Sequence, residues 1–143
     1  MTISNPLSGL NSIVVSASVS NMNGFIIIAI MNGLFDATTM TLPTTNNIKK
    51  GLFEENQPPL LAVRMQYAPQ NFNISLSVDS LISNSNYTIF YYATMDDPTL
   101  TSSASSVGFN IFKTLEVLDI SINWGFRNGI GLGLLLLAFL MLH

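Results

Sequence analysis

Apolar and polar residues alternate along several short stretches of this chain. In residues 13–20, apolar side chains fill the odd positions, and serines fill all but one of the even positions. Residues 72–78 repeat the pattern, with Phe72, Ile74, Leu76 and Val78 separated by Asn and Ser. A period of two is typical of a strand that buries one face. We therefore predict a strand in each stretch.

A third strand is predicted in residues 25–31 (FIIIAIM), which are apolar at every position. Such a run is typical of a central strand that is covered on both faces. The preceding Asn23-Gly24 pair favours the positive φ angles of a tight turn, so we predict a hairpin between the first two of these strands. Residues 60–67 (LLAVRMQY) form a further strand candidate.

Residues 32–59 contain several turn-forming residues, including Pro43, Asn46-Asn47 and Pro58-Pro59, and the chain's one sizeable charge cluster, Lys49-Lys50 with Glu54-Glu55. We predict loops here, with a short helical turn or an edge strand in residues 46–51. The carboxylate pair reads as part of a solvated loop.

Two more strands are predicted in residues 87–94 (YTIFYYAT) and 107–111. In the first of these, alternation places Tyr87, Ile89 and Tyr91 towards the core and leaves Phe90 and Tyr92 on the opposite face. Exposed there, Phe90 and Tyr92 would form an apolar patch suited to a neighbouring subunit.

About seven short strands without a long helix indicate an all-β sandwich. We expect three parts: an N-terminal segment in residues 1–10, the sandwich in residues 11–117, and a linker with a hydrophobic segment in residues 118–143.

Composition excludes several function classes. Only 9% of the residues are charged and the net charge is −3, whereas 42 of the 143 residues are Ser, Thr or Asn. Nucleic-acid binding needs clustered Lys and Arg, which this chain lacks. It has no Cys, and its single His is His143, so no thiolate site and no Ser-His-Asp relay is expected within the fold. We predict a non-enzymatic protein without cofactor or metal, and we interpret Asp96-Asp97 as a turn rather than a calcium site.

The C-terminal residues 130–142 (IGLGLLLLAFLML) are apolar throughout. Three interpretations remain open: a GPI-attachment signal, a short membrane anchor in which Arg127 snorkels beneath an interfacial Trp124, or an element packed on a partner subunit. The residues expected to attach the chain to a membrane or to neighbouring subunits are Trp124, Arg127, Leu134, Leu135, Leu136, Leu137, Phe139 and Leu140.

Residues 1–10 (MTISNPLSGL) have neither the basic region nor the apolar core of a signal peptide. A secretory chain would then be the C-terminal piece of a longer precursor, or Met1 would be a misplaced start.

Residues 81–87 (LISNSNY) resemble the L-x-P-x-T-x-Y pattern of fibronectin type III domains. Leu81 and Tyr87 match, Ser85 replaces the threonine, and Ser83 departs from the proline. The segments at 20–28 and 43–51 are also similar to fibronectin-like repeats of large surface proteins, especially those of ciliates. The resemblance spans roughly residues 10–117 and implies an immunoglobulin-like sandwich in which Tyr87 forms a tyrosine corner, its hydroxyl bonding back to the backbone.

Two N-glycosylation sequons begin at Asn73 (NIS) and Asn86 (NYT). Both asparagines are expected to face solvent and carry N-linked glycans. Together these features favour an extracellular or cell-surface, membrane-associated module, a glycosylated coat or filament subunit that forms a homo-oligomer or polymer. The alternative is a single-span accessory subunit of an intracellular membrane complex.

Overall fold

The computed structural model describes residues 1–20, 23–54, 57, 59–95 and 105–117. These residues form eight strands and one short helix, α1 (Thr45–Lys49). The strands are β1 (Thr2–Ile3), β2 (Leu7–Ser8), β3 (Ile13–Ser18), β4 (Gly24–Asn32), β5 (Ala62–Ala68), β6 (Ile74–Val78), β7 (Asn86–Met95) and β8 (Gly108–Lys113). The predicted all-β class is confirmed, and two antiparallel sheets face each other as in a β-sandwich.

The first sheet is built around β3. Strand β6 pairs with residues 13–17 of β3 and so occupies one edge of that strand along all but its last residue. Strands β1 and β2 therefore share the other edge, end to end, and their register against β3 shifts by one residue between them. Pro6, which has no N–H to donate, lies at this interruption. Residues 1–10, expected to lie outside the sandwich, thus supply its first two strand segments.

The second sheet has the order β5-β4-β7-β8, and all three pairings are antiparallel. Residues 26–30 of β4 are all buried, so the predicted central strand covered on both faces is confirmed. The predicted hairpin at Asn23-Gly24 is wrong, because β3 and β4 belong to different sheets and the chain crosses between them. Gly24 instead opens β4, where an added Cβ would collide with the Thr94 carbonyl.

Between the sheets lies the main core. Its fully enclosed side chains come from both layers, and Tyr87 at 1% exposure is among the largest of them. Ile13 and Val15 of β3 face Ile26 and Ile28 of β4, and all four have no exposed surface. Burying one such branched side chain contributes about 1.5–3 kcal/mol, so this layer is a main source of stability.

A second core lies on the outer face of the second sheet, and we call it the outer core. Residues 33–60, which we call the covering loop, lie over it. Phe35, Ile48 and Phe53 of this loop pack against Phe90 and Tyr92 of β7. The ring centroids of Phe35 and Phe90 are 5.4 Å apart in an edge-to-face arrangement. Phe90 and Tyr92 lie on the face opposite Tyr87, as predicted, but they form no exposed patch: both have no exposed surface, because the chain's own loop covers them.

Helix α1 holds the covering loop in place. The Thr44 side chain caps it by accepting a hydrogen bond from the Asn47 N–H at 3.2 Å, and Ile48 inserts fully buried into the outer core. The short helical turn predicted here is confirmed. A smaller correction concerns Phe72, which is 65% exposed because β6 begins only at Ile74.

Candidate functional site

The loop between β6 and β7 is fixed by the hydroxyl of Tyr87. This oxygen accepts a hydrogen bond of 2.8 Å from the backbone N–H of Ile82, five residues upstream. The ring lies in the main core and stacks on Phe112 with centroids 5.5 Å apart. Leu81, the other residue of the expected corner, is buried beside it. The hydrogen bond therefore ties the loop to the start of β7, which is the geometry of a tyrosine corner.

Thr114 joins the same loop to the end of β8. Its buried hydroxyl donates to the Ile82 carbonyl at 2.6 Å and accepts from the Ser85 N–H at 3.0 Å. The next residue, Leu115, donates its N–H to the Gly9 carbonyl at 2.9 Å. These hydrogen bonds join the two sheets at one end of the sandwich, which we call the lower end. The opposite end, where Gly24 pairs with Met95, is the upper end.

The two sequon asparagines, Asn73 and Asn86, are exposed and lie at opposite ends of the sandwich. Asn73 precedes β6 at the upper end, and its hydroxyl residue Ser75 is also exposed. Asn86 opens β7 at the lower end, but its hydroxyl residue Thr88 is fully buried. The Thr88 hydroxyl accepts from the Phe35 N–H and donates to the Gly33 carbonyl, both at 2.9 Å. That threonine therefore has a structural role whether or not Asn86 carries a glycan.

A groove runs along the side of the sandwich between β5 and β6. Among the described residues, the second sheet is four strands wide, whereas the first is three strands wide because β1 and β2 share one edge of β3. β5 therefore extends beyond the layer opposite it. Arg64 and Gln66 pair with Ile28 and Ile26 and therefore point to the core side of their sheet. Both are nevertheless exposed, while their partners have no exposed surface. The middle of the core side of β5 is thus open to solvent, whereas Ala62 and Ala68 at its two ends pack on the main core.

The groove deepens at its lower end into a cavity of about 390 Å³. Leu61, Ala62 and Arg64 line one wall, residues 78–82 line the other, and Asn32 and Tyr87 also contact the cavity. A second recess of about 350 Å³ lies near Asn32 under the covering loop, lined by Met31, Met40, Phe53 and neighbouring residues. Volumes of this size are in the range of side-chain and small-ligand pockets.

Titratable groups are sparse in the described residues. Hydrogen bonds from the side chain and backbone of Thr38 and from the Thr39 hydroxyl lower the pKa of Asp36, which sits in an exposed turn. Burial raises the pKa of Tyr92, whose hydroxyl is enclosed in the outer core without a hydrogen-bond partner. Among these residues, no three His, Cys, Asp or Glu side chains come close enough to hold a metal ion.

Several expected site residues lie outside the described part of the chain. These are Asp96, Asp97, Glu55 and the attachment residues Trp124, Arg127, Leu134, Leu135, Leu136, Leu137, Phe139 and Leu140. Within the described ranges, no helix has the length and apolar character needed to cross a membrane.

The groove was not predicted from the sequence. The available signal was Arg64 and Gln66, two polar residues on one face of the strand pattern, but they do not reveal which strand lacks a neighbour opposite it. No protein-family model, curated protein or solved structure matches this chain.

Proposed function

We propose that this protein is a non-enzymatic extracellular module of the fibronectin type III type. It acts as a glycosylated surface-coat or filament subunit, attached to a membrane or to neighbouring subunits through its C-terminal residues. Its role is mechanical and adhesive: the sandwich is a stable spacer, and its faces and edges make the contacts.

The strand order supports the fibronectin type III assignment. Counted as one interrupted strand, β1 and β2 join β3 and β6 in one sheet, and β4, β5, β7 and β8 form the other. Seven strands divided as first, second and fifth against third, fourth, sixth and seventh is the arrangement of that fold. The hydrogen bond from the Ile82 N–H to Tyr87 adds the expected corner.

The observation that carries the extracellular role is the exposure of Asn73 and Ser75 in the first acceptor motif. Asn73 and Ser75 are both exposed, and Asn73 lies just before a strand rather than within one. Oligosaccharide attachment requires an accessible asparagine and passage through the secretory pathway. A neutral surface rich in hydroxyl and amide groups is compatible with an extracellular coat.

Intact mass spectrometry of the full chain isolated from its natural source tests this proposal. We expect a glycan mass on Asn73 that disappears in an Asn73→Gln variant returned to the same cells, with Asn71→Gln as a matched control that leaves it in place. An unmodified Asn73 and Asn86 in folded, membrane-associated material would instead support the accessory subunit of an intracellular complex.

A further inference from the structure

We propose that the groove between β5 and β6 binds an extended peptide segment bearing a carboxylate side chain, which adds to β6 as a further strand of the first sheet. The inference rests on the proposed role as an interaction module. It specifies the kind of partner that one surface of the module binds. It does not depend on glycosylation.

The free edge of β6 is the first reason. In the described residues, β6 pairs only with β3, so its other edge offers unpaired backbone groups. Natural sheets usually blunt such an edge with a charge, a proline or a bulge. The β1–β2 edge has Pro6 and a register shift, β5 has Arg64 and β8 ends in Lys113, whereas residues 74–78 (ISLSV) have none of these. Among the described edges, β6 is the one best suited to strand addition.

The overhang of β5 is the second reason. A strand placed beside β6 in the first sheet would lie directly beneath β5, where Arg64 and Gln66 now face solvent. It would cover Arg64 and Gln66 and extend the first sheet to four strands, matching the width of the second. The cavity of about 390 Å³ at the lower end lies in this same space and would receive one of its side chains.

The same overhang determines the kind of occupant. If β6 of a second copy paired with this β6, the β5 strand of each copy would overlie the sandwich of the other, and the two second sheets would collide. A single extended segment has no second layer and avoids that collision. Strand addition by a peptide uses main-chain hydrogen bonds for affinity and side-chain pockets for selectivity.

The lining of the groove indicates which side chains the segment carries. Val78, Leu81 and Tyr87 are 2%, 6% and 1% exposed and give an apolar floor for inward-pointing aliphatic residues. Arg64 lines the cavity and bonds only to the adjacent Val63 carbonyl, at 3.2 Å. Asp79 lies on the opposite wall of the cavity, but neither it nor any other described carboxylate forms an ion pair with Arg64. An inward carboxylate between two aliphatic residues would complement this wall, because a guanidinium pairs with a carboxylate through two hydrogen bonds.

The test uses three acetylated, amidated heptapeptides with sequences TVTETVT, TVTQTVT and TVTKTVT. Each places its central residue and two valines on one face of an extended strand. The peptides are titrated into the isotope-labelled, unglycosylated full chain in non-ionic detergent, and backbone amide chemical shifts are followed. We expect the glutamate peptide to shift amides in residues 62–66 and 74–82, and to bind about three- to tenfold more tightly than the glutamine peptide.

Variants sharpen the result. Arg64→Gln should abolish the preference for glutamate, and Arg64→Glu should transfer it to the lysine peptide, while Lys50→Gln on the exposed end of α1 should change neither. Arg64 is exposed, so all three variants should fold and give dispersed spectra. Equal affinities for the three peptides, or shifts confined to other surfaces, would overturn the proposal. So would self-association that the glutamate peptide does not displace. If the peptide-binding experiment fails, the glycan test of the proposed function still stands.

Discussion

Replacing Thr88 with valine tests whether this threonine serves the Asn86 sequon alone or also stabilises the fold. Thr88 completes the sequon of Asn86, yet its hydroxyl also bridges the Phe35 N–H and the Gly33 carbonyl in the outer core. Valine has nearly the same shape but neither donates nor accepts a hydrogen bond. The variant therefore removes both the acceptor motif and the bridge, and only the loss of the bridge affects an unglycosylated protein.

The expected cost follows from burial. Phe35 is 3% exposed and Thr88 is fully buried, so the Phe35 N–H cannot bond to water after the substitution. An unsatisfied buried donor costs about 1–3 kcal/mol, and losing the bond to Gly33 adds roughly 1 kcal/mol. We expect Thr88→Val to lower the free energy of unfolding by about 2–4 kcal/mol, and the melting temperature by about 4 °C or more per kcal/mol.

Chemical denaturation of unglycosylated protein measures this difference. Thr88→Ser keeps both the hydroxyl and the sequon and should lose only about 1 kcal/mol for the missing methyl group. Asn86→Gln destroys the sequon and leaves the bridge, so its stability should equal that of the parent. A valine variant within 0.5 kcal/mol of the parent would refute our account of how the covering loop is attached.

Three further predictions use other parts of the fold. Tyr87→Phe leaves the Ile82 N–H without its partner and should cost about 1–2 kcal/mol in denaturant titrations, whereas a neutral result would show that water replaces the hydroxyl. Gly24→Ala places a methyl group against the Thr94 carbonyl and should cost about 1–3 kcal/mol; an unchanged unfolding midpoint would show that β4 and β7 can separate freely there. Because burial raises the pKa of Tyr92, the folded state holds its phenolic proton after the unfolded state has released it. Stability should therefore fall as pH rises above about 10, and a Tyr92→Phe variant should lose less over that interval.

Residues with a strong local pattern revealed much of the fold in advance. The unbroken apolar run at 25–31 predicted the central strand β4, and the alternation at 13–20 predicted β3, because a buried strand requires those patterns regardless of its neighbours. Tyr87 and Leu81 pointed to the loop that the Ile82 hydrogen bond closes. β1 and β2 have two residues each, which is too short for any period to appear.

Features that depend on distant segments were predicted wrongly. Asn23-Gly24 has the composition of a hairpin turn, but the pairing of β4 with β7 and β5 outweighs that local preference. Phe90 and Tyr92 were assigned to the correct face, but strand alternation cannot show that a loop covers that face, so an exposed patch was considered there. Helix α1 was anticipated, whereas the packing of Ile48 against β7 was not. The groove at β5 arises from the unequal widths of two sheets, a property of topology rather than of any one stretch of sequence.

The strand directions also determine how this sandwich would respond to pulling. β2 runs towards the lower end, since it is antiparallel to β3, and β8 runs the same way, since it is antiparallel to β7. Met1 thus lies near the upper end and Val117 near the lower one, where Leu115 bonds to Gly9. In the proposed tethered arrangement, tension between these points acts along the strands and loads the bonds of the β1–β2 edge together in shear. Such a geometry resists force better than one in which bonds open one at a time, which is the property that the proposed surface-coat role would require.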